Sequence, residues 1–217
     1  VAIYYKQNLV FEVNEVFRNS TPLSIASVTK PFTSLAIMQL ADNGLLKPND
    51  PVSKYLPEIT KQFPPLEGKE ITIRNLMQHT SGIPYIGSRQ IHPAGTKFMY
   101  SNYNYRLLAN IIEKVSGQSY ANYIKENIFL PLEMEDSMVS QTADGASGIA
   151  VSSRNLANFA NLFLQEGKHK DQPIVQSSRI KKIFKAPDFI PKNLLMEFYG
   201  LGLRVIRENN FVIFFFN

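Results

Sequence analysis

Apolar positions along the chain change period more than once, and each change predicts an element. Val1-Ala2-Ile3-Tyr4-Tyr5 and Leu9-Val10-Phe11 are short β-branched and aromatic runs around a polar Lys6-Gln7-Asn8 turn, which predicts a hairpin over residues 1–13. From residue 27 the spacing becomes helical: Pro31, Phe32, Leu35, Ala36, Ile37 and Leu40, with Gly44 as the stop. Pro48-Asn49-Asp50-Pro51 reads as a turn and Pro57 to Pro65 as a proline-rich loop. Ile71 to Met77 reads as a helix start capped by Thr72, and His79-Thr80-Ser81-Gly82-Ile83-Pro84 as a loop. Tyr105, Leu108, Ala109, Ile112 and Val115 give residues 102–116 one apolar helical face, stopped by Gly117. Ser119 caps a helix expected through Ile128 and ended by Pro131; a further amphipathic helix is expected from Ser153 to Gln165, stopped by Gly167. Tyr199 to Asn217 is strand-like.

Strands at both ends around a helical middle predict an α/β (α+β) fold: an antiparallel sheet built from both chain termini, flanked by helices. The 217 residues are read as one domain, with 1–26 and 145–217 forming the sheet part and 27–144 the mostly helical part.

Composition narrows the function classes. Hydrophobic content is 44%, enough for a core, and net charge is +5. The basic residues are dispersed except over Arg179–Lys192, which carries no nucleic-acid-reading signature, so nucleic acid is not an expected partner. A mildly basic surface suits an anionic cell-envelope polymer. With no cysteine, disulfides and thiolate metal sites are excluded. His79, His92 and His169 show no paired ligand spacing, so no metal and no cofactor is expected. The longest apolar run, Phe211 to Phe216, is too short to span a bilayer.

The chemistry-bearing residues are few. Ser27-Val28-Thr29-Lys30 stands at the head of the apolar helix, and residues three apart on a helix have neighbouring side chains. An amine beside a hydroxyl can take its proton, and the free N–H groups of a first helical turn favour developing negative charge. This is a route to a serine nucleophile without histidine; the bland alternative is a helix start with a solvated lysine. A second Ser-x-x-Lys, Ser178 to Lys181, lies in a basic stretch that reads as a solvated helix face. Tyr100-Ser101-Asn102 sits at a loop–helix junction, where a phenol could shuttle a proton if a nearby cation lowers its pKa and a carboxamide could bind a substrate amide. Tyr120-Ala121-Asn122 repeats that pattern inside a helix and reads as packing.

Five segments in order carry a resemblance: Ser27 to Lys30, Leu76 to Pro84, Pro93-Ala94-Gly95 to Asn102, Ile111 to Gly117, and Pro131 to Ser137. Together they resemble the serine beta-lactamase-related family of class C beta-lactamases, D-alanyl-D-alanine carboxypeptidases and esterases. The resemblance implies a serine hydrolase that forms an acyl-enzyme on an amide or ester: a beta-lactam, a D-amino-acid peptide or a simple ester. It implies Ser27 as nucleophile, Lys30 as proton acceptor or relay, Tyr100 as general base and later acid, Asn102 as substrate-binding residue and the Ser27 N–H as half of an oxyanion hole. His79 is implied to be structural. A small-molecule or peptide substrate and a periplasmic, secreted or cell-envelope location follow from the same resemblance.

One departure stands out. The family's third motif, Lys-Thr-Gly or His-x-Gly, should follow Tyr199 to Arg204, and no Lys-Thr-Gly occurs in the chain. The second oxyanion donor is therefore unassigned, and a non-catalytic protein that binds cell-wall peptides is the alternative reading. Glu12 to Leu23 and Met138 to Gly148 are also short for the family. Interruptions of the chain are accordingly expected near Asn14, between Gln141 and Gly148, and near Asn210.

Overall fold

In a computed structural model of the chain, residues 2–5, 8–12, 20–190, 197–208 and 211–215 are described. β1 (Ala2–Tyr5) and β2 (Asn8–Glu12) form the expected antiparallel hairpin, with an irregularity between Ile3 and Tyr4. β3 (Leu23–Ser24) leads through a 3₁₀ turn, Ala26–Val28, into α1 (Thr29–Asp42). The short α2 (Ile59–Gln62) and α3 (Ile73–Met77) follow. Thr72 caps α3 as expected, within a reciprocal capping box in which Thr72 Oγ1 accepts from Asn75 N–H and Asn75 Oδ1 accepts from Thr72 N–H. α4 (Asn102–Ser116) ends at Gly117, which takes the left-handed φ of +72° that a helix C-terminus favours. α5 (Tyr120–Ile124), capped by Ser119, continues as a single π turn over Lys125–Phe129, so the helix expected through Ile128 changes its hydrogen-bond pattern midway.

β4 (Met138–Val139) and β5 (Ile149–Val151) then form an antiparallel sheet with β3, in the order β3-β5-β4. α6 (Ser153–Leu164), capped by Ser152, packs beside α1, where Phe159 stacks on Phe32 at 3.7 Å between ring centroids. β6 (Lys168–His169) and β7 (Gln172–Pro173) make a small hairpin before α7 (Ser177–Ile183). β8 (Glu197–Tyr199), β9 (Arg204–Glu208) and β10 (Phe211–Phe215) form an antiparallel meander in the order β10-β9-β8. The mixed α/β class with antiparallel strands at both ends is as expected from the sequence. The terminal strands are hydrogen-bonded as a hairpin and a meander, and no pairing between the two groups occurs among the described residues.

The expected interruption between Gln141 and Gly148 is not there. Residues 140–148 form a continuous tight loop in which Ser140 N–H donates to Gly148 C=O at 2.9 Å, and Asp144 Oδ1 accepts from Ala146 and Ser147 N–H. Asp144 lets so few residues close a turn, because its carboxylate satisfies donors that a longer loop would pair with backbone. The other two expected interruptions lie at Asn14 and Asn210, outside the described residues.

α1 forms the centre of the molecule. Every residue from Thr29 to Ala41 is buried, unlike the one-sided helix of a protein surface. Its polar side chains must therefore find partners in the interior. Thr33 Oγ1 donates to Gly145 C=O at 2.7 Å and bonds Tyr120 Oη at 2.8 Å; Ser34 Oγ meets Tyr105 Oη at 3.2 Å; Gln39 Nε2 donates to Asn127 C=O at 2.8 Å. Tyr120 is thus a buried packing residue, as the sequence suggested for the second Tyr-x-Asn. α7 differs from its sequence reading. Lys181 is exposed, but Arg179 is mostly buried, its Nε donating to Asp42 Oδ1 at 2.7 Å and a terminal nitrogen to Ala41 C=O at 2.9 Å.

Candidate active site

β3 fixes where the nucleophile candidate stands. Leu23 and Ser24 pair with Val151 and Ala150 of β5, and Ile25 N–H donates to Ile149 C=O at 3.0 Å. The chain then turns sharply. Ala26 has φ +44°, a conformation that costs a non-glycine residue about 1–3 kcal/mol and persists only where neighbours impose it. That turn brings half-buried Ser27 into the 3₁₀ segment, two residues before the α-helix proper begins at Thr29. The sequence placed Ser27 at the helix head; it lies in the 3₁₀ turn that feeds the helix, with its N–H among the first-turn donors.

Ser27, Lys30 and Tyr100 converge. Ser27 Oγ accepts from Lys30 Nζ at 2.9 Å and from Tyr100 Oη at 2.9 Å. Lys30 also donates to Ala146 C=O at 3.2 Å, and its ammonium lies 4.8 Å from the Tyr100 ring centroid and 5.6 Å from that of Tyr105. The 140–148 loop therefore supplies a ligand to the lysine, an acceptor that no side-chain motif in the sequence announces. Lys30 is fully buried, and desolvation lowers its pKa from 10.5 to about 8; the Asp144 carboxylate acts the other way. Asp144 itself is held below the ordinary carboxyl range. Burial pushes it up, but bonds from Arg106 and from the Ala146 and Ser147 amides outweigh that. Lys30 is not paired with a carboxylate and no second cation accounts for its shift. Burial alone does so.

The sequence reading made a proton shuttle at Tyr100 conditional on a nearby cation lowering the phenol's pKa. In the structure it is raised, burial being the largest cause, with the bond to Ser27 a smaller opposing effect. About a third of its surface remains exposed, so one side of the ring borders solvent. Asn102, the first residue of α4, sits two residues beyond. Its Nδ2 donates to the exposed Tyr85 Oη at 3.2 Å, and its buried Oδ1 has no partner among the described residues. It is a free acceptor at the mouth of the helix. Tyr85 was not singled out in the sequence, and only its place in the loop after Gly82 hints at it.

His79 was read as structural, and it lies at the centre of the site's support. Its ring is fully buried, 4.4 Å from the Tyr100 ring, 5.1 Å from Tyr105 and 4.7 Å from Tyr199. Tyr199 comes from β8, at the start of the Tyr199-Gly200-Leu201-Gly202 segment. Gly202 has φ +101°, and a Cβ there would stand 2.3 Å from Ser34 Oγ, so this strand end packs directly on α1. A concavity of about 380 Å³ lies elsewhere, near the C-terminal end of α1, lined by Gln39, Asp42, Tyr123 and Glu126 among others. At about 1.5 Å per residue, Gln39 is more than 10 Å along the helix from Lys30, so the groove and the chemistry do not coincide.

A serine with an amine of lowered pKa and a protonated phenol at hydrogen-bonding distance can be deprotonated on one side and can pass a proton to a leaving group on the other. The chain belongs to the Beta-lactamase family, whose model matches residues 1–205. It is 37% identical over 145 residues to protein flp of Staphylococcus aureus strain MW2, an alignment covering 57% of this chain and 29% of that protein. It is 37% identical over 149 residues to penicillin-binding protein 4* of Bacillus subtilis strain 168, covering 56% and 31%. The matched stretch is less than a third of the length of either relative. The octameric penicillin-binding protein homologue from Pyrococcus abyssi superposes with a TM-score of 0.72 at 28% identity, over 86% of this chain and 54% of that one.

Proposed function

We propose that this chain is a serine acyl-transfer enzyme of the family, in which Ser27 is acylated by an amide or ester carbonyl. The observation that carries the reading is the pair of 2.9 Å contacts from Lys30 Nζ and Tyr100 Oη to one Ser27 Oγ. In the active form Lys30 is a neutral amine and the Ser27–Lys30 bond runs the other way, Oγ–H donating to Nζ. Oγ attacks the carbonyl carbon as its proton passes to Lys30. The tetrahedral oxyanion faces the Ser27 N–H at the start of the helix. When the C–N or C–O bond breaks, Tyr100 gives its proton to the leaving group and Lys30 returns one to the phenolate. Water reverses the sequence to release the acid. Lys30 is assigned as base over Tyr100 because its pKa is lowered while that of the phenol is raised. Asn102 Oδ1 is assigned to a substrate N–H. The expected substrates are small molecules or peptides of the cell envelope: a beta-lactam, a D-amino-acid peptide or a simple ester.

A second reading is a protein that binds cell-wall peptides without turnover, favoured by the absence of a Lys-Thr-Gly sequence. One experiment separates the two. The purified chain and its Ser27→Ala variant are incubated with a fluorescent penicillin and with a fluorophosphonate, then denatured and read for label and intact mass. Covalent adducts in the first and none in the second support acylation at Ser27. Reversible peptide binding with no adduct from either probe supports the binding protein.

A further inference from the structure

His79 is a buried imidazole that the proposed chemistry does not use, and it touches three consecutive residues of the segment that carries Tyr100. Its C=O accepts from Met99 N–H at 2.7 Å. Its Nδ1 accepts from Ser101 N–H at 3.2 Å and lies 3.2 Å from Asn104 Nδ2. Between those anchors, the Tyr100 ring lies over the imidazole at 4.4 Å and 33°. Accepting backbone and amide donors at Nδ1 requires the proton to sit on Nε2. Burial, with the Lys30 charge as a lesser cause, lowers the pKa to about 3, so the ring stays neutral at any ordinary pH and cannot serve as a proton carrier there.

The surroundings commit the residue to this geometry. His79 has φ +54°, just past the end of α3. Asn104, which meets Nδ1, is held in turn by Ser81 Oγ–H donating to its Oδ1 at 2.7 Å. Gly82, next in the loop, leaves no room for a side chain: a Cβ would stand 2.1 Å from His92 C=O. A phenylalanine at position 79 would keep the ring but strand the Ser101 and Asn104 donors. An asparagine would keep a left-handed backbone and an acceptor near the Nδ1 position but lose the ring.

We propose that His79 is a positioning residue for Tyr100, holding the phenol against Ser27 through one ring acceptor, one backbone acceptor and a stacked face. The inference rests on the acyl-transfer reading of Ser27, Lys30 and Tyr100. Its kinetic test is a double-mutant cycle on acylation by a fluorescent penicillin or a chromogenic ester, with His79→Phe and His79→Asn each made in the native and the Tyr100→Phe backgrounds. In the native background His79→Phe lowers the limiting acylation rate by roughly 10²-fold with half-saturation unchanged, as expected for a misplaced reacting group. His79→Asn recovers part of that loss. In the Tyr100→Phe background neither substitution has a further effect beyond about twofold. An equal loss in both backgrounds, or a loss confined to half-saturation, overturns the proposal.

A second measurement needs no activity. Nitrogen-15 NMR of the native protein, with His79→Asn used to assign the signals, shows His79 as the neutral Nε2–H form from about pH 4.5 to 8.5. A proton on Nδ1, or titration in the ordinary histidine range, overturns the proposal. Absence of acylation with the Nε2–H form intact means that the reading of Ser27 has failed while the positioning geometry stands.

Discussion

The pH dependence of acylation follows directly from the burial of Lys30. With a pKa of about 8, roughly one lysine in ten is neutral at pH 7; at the ordinary value of 10.5 it would be about one in three thousand. Burial therefore raises the supply of reactive amine about 300-fold at neutral pH, which lies within the usual contribution of general base catalysis. If Lys30 is the base, the logarithm of the acylation rate rises with unit slope below about pH 8 and levels off above it. The assay is single-turnover acylation by a fluorescent penicillin between about pH 6 and 10, with Ser27→Ala as the blank and a probe that does not itself titrate in that range. A rate independent of pH from 6 to 9 would refute Lys30 as the base. So would a rate still climbing past pH 10, which would point to Tyr100, whose pKa is raised.

Other substitutions test other parts of the site. Asp144→Asn removes the charge that raises the pKa of Lys30, so the midpoint of the acylation profile moves below that of the native chain; a midpoint that stays or rises contradicts the electrostatic assignment. Tyr100→Phe keeps the ring over His79 but loses the proton donor, and lowers acylation by about 10²–10⁴-fold with no large change in melting temperature. Gly202→Ala places a methyl group against Ser34 at a φ of +101° and destabilises the fold by about 3 kcal/mol, read by urea unfolding. Lys30→Met removes a buried ammonium. Its cost to the native fold is at most about 3 kcal/mol, full below pH 8 and relieved as pH rises from 8 to 10.5, so the variant's stability advantage is largest at neutral pH and shrinks over that window.

What could be read from the sequence, and what could not, divides along range. α1, α4 and α6 and their stops were legible because a helix is written in local spacing, and Gly117 sits next to the residue it terminates. Ser27, Lys30 and Tyr100 were legible as motifs, and the structure brings all three to one point. The Ala146 carbonyl that receives Lys30 was not, since a backbone acceptor 116 residues away leaves no mark in side-chain pattern. The direction of the Tyr100 shift was not legible for a related reason: Lys30 does lie near the ring, but the pKa follows mainly from how much water reaches the phenol, which depends on packing by His79 and Tyr199. Arg179 looked like part of a solvated face until Asp42, on the far end of α1, turned out to be its partner.

The placement of Lys30 in the first turn of a wholly buried helix joins stability to reactivity. A core helix is ordinarily filled with aliphatic residues, and α1 largely is, so a polar donor in it is costly unless an acceptor from elsewhere in the chain meets it. Thr33 and Lys30 are matched by consecutive carbonyls, Gly145 and Ala146, from one loop. That loop is held by Asp144, which is fixed by Arg106 of α4. The loop therefore does two things with one carboxylate: it closes the chain over α1, and it sets how far the pKa of the lysine can fall. A carboxylate bonded directly to Lys30 would keep it an ammonium, whereas a fully apolar pocket would leave the ammonium without an acceptor and disfavour the fold more strongly. A backbone carbonyl at 3.2 Å, with the charge of Asp144 turned toward Arg106, lies between those limits and leaves a lysine that is still bound in place but gives up its proton near pH 8.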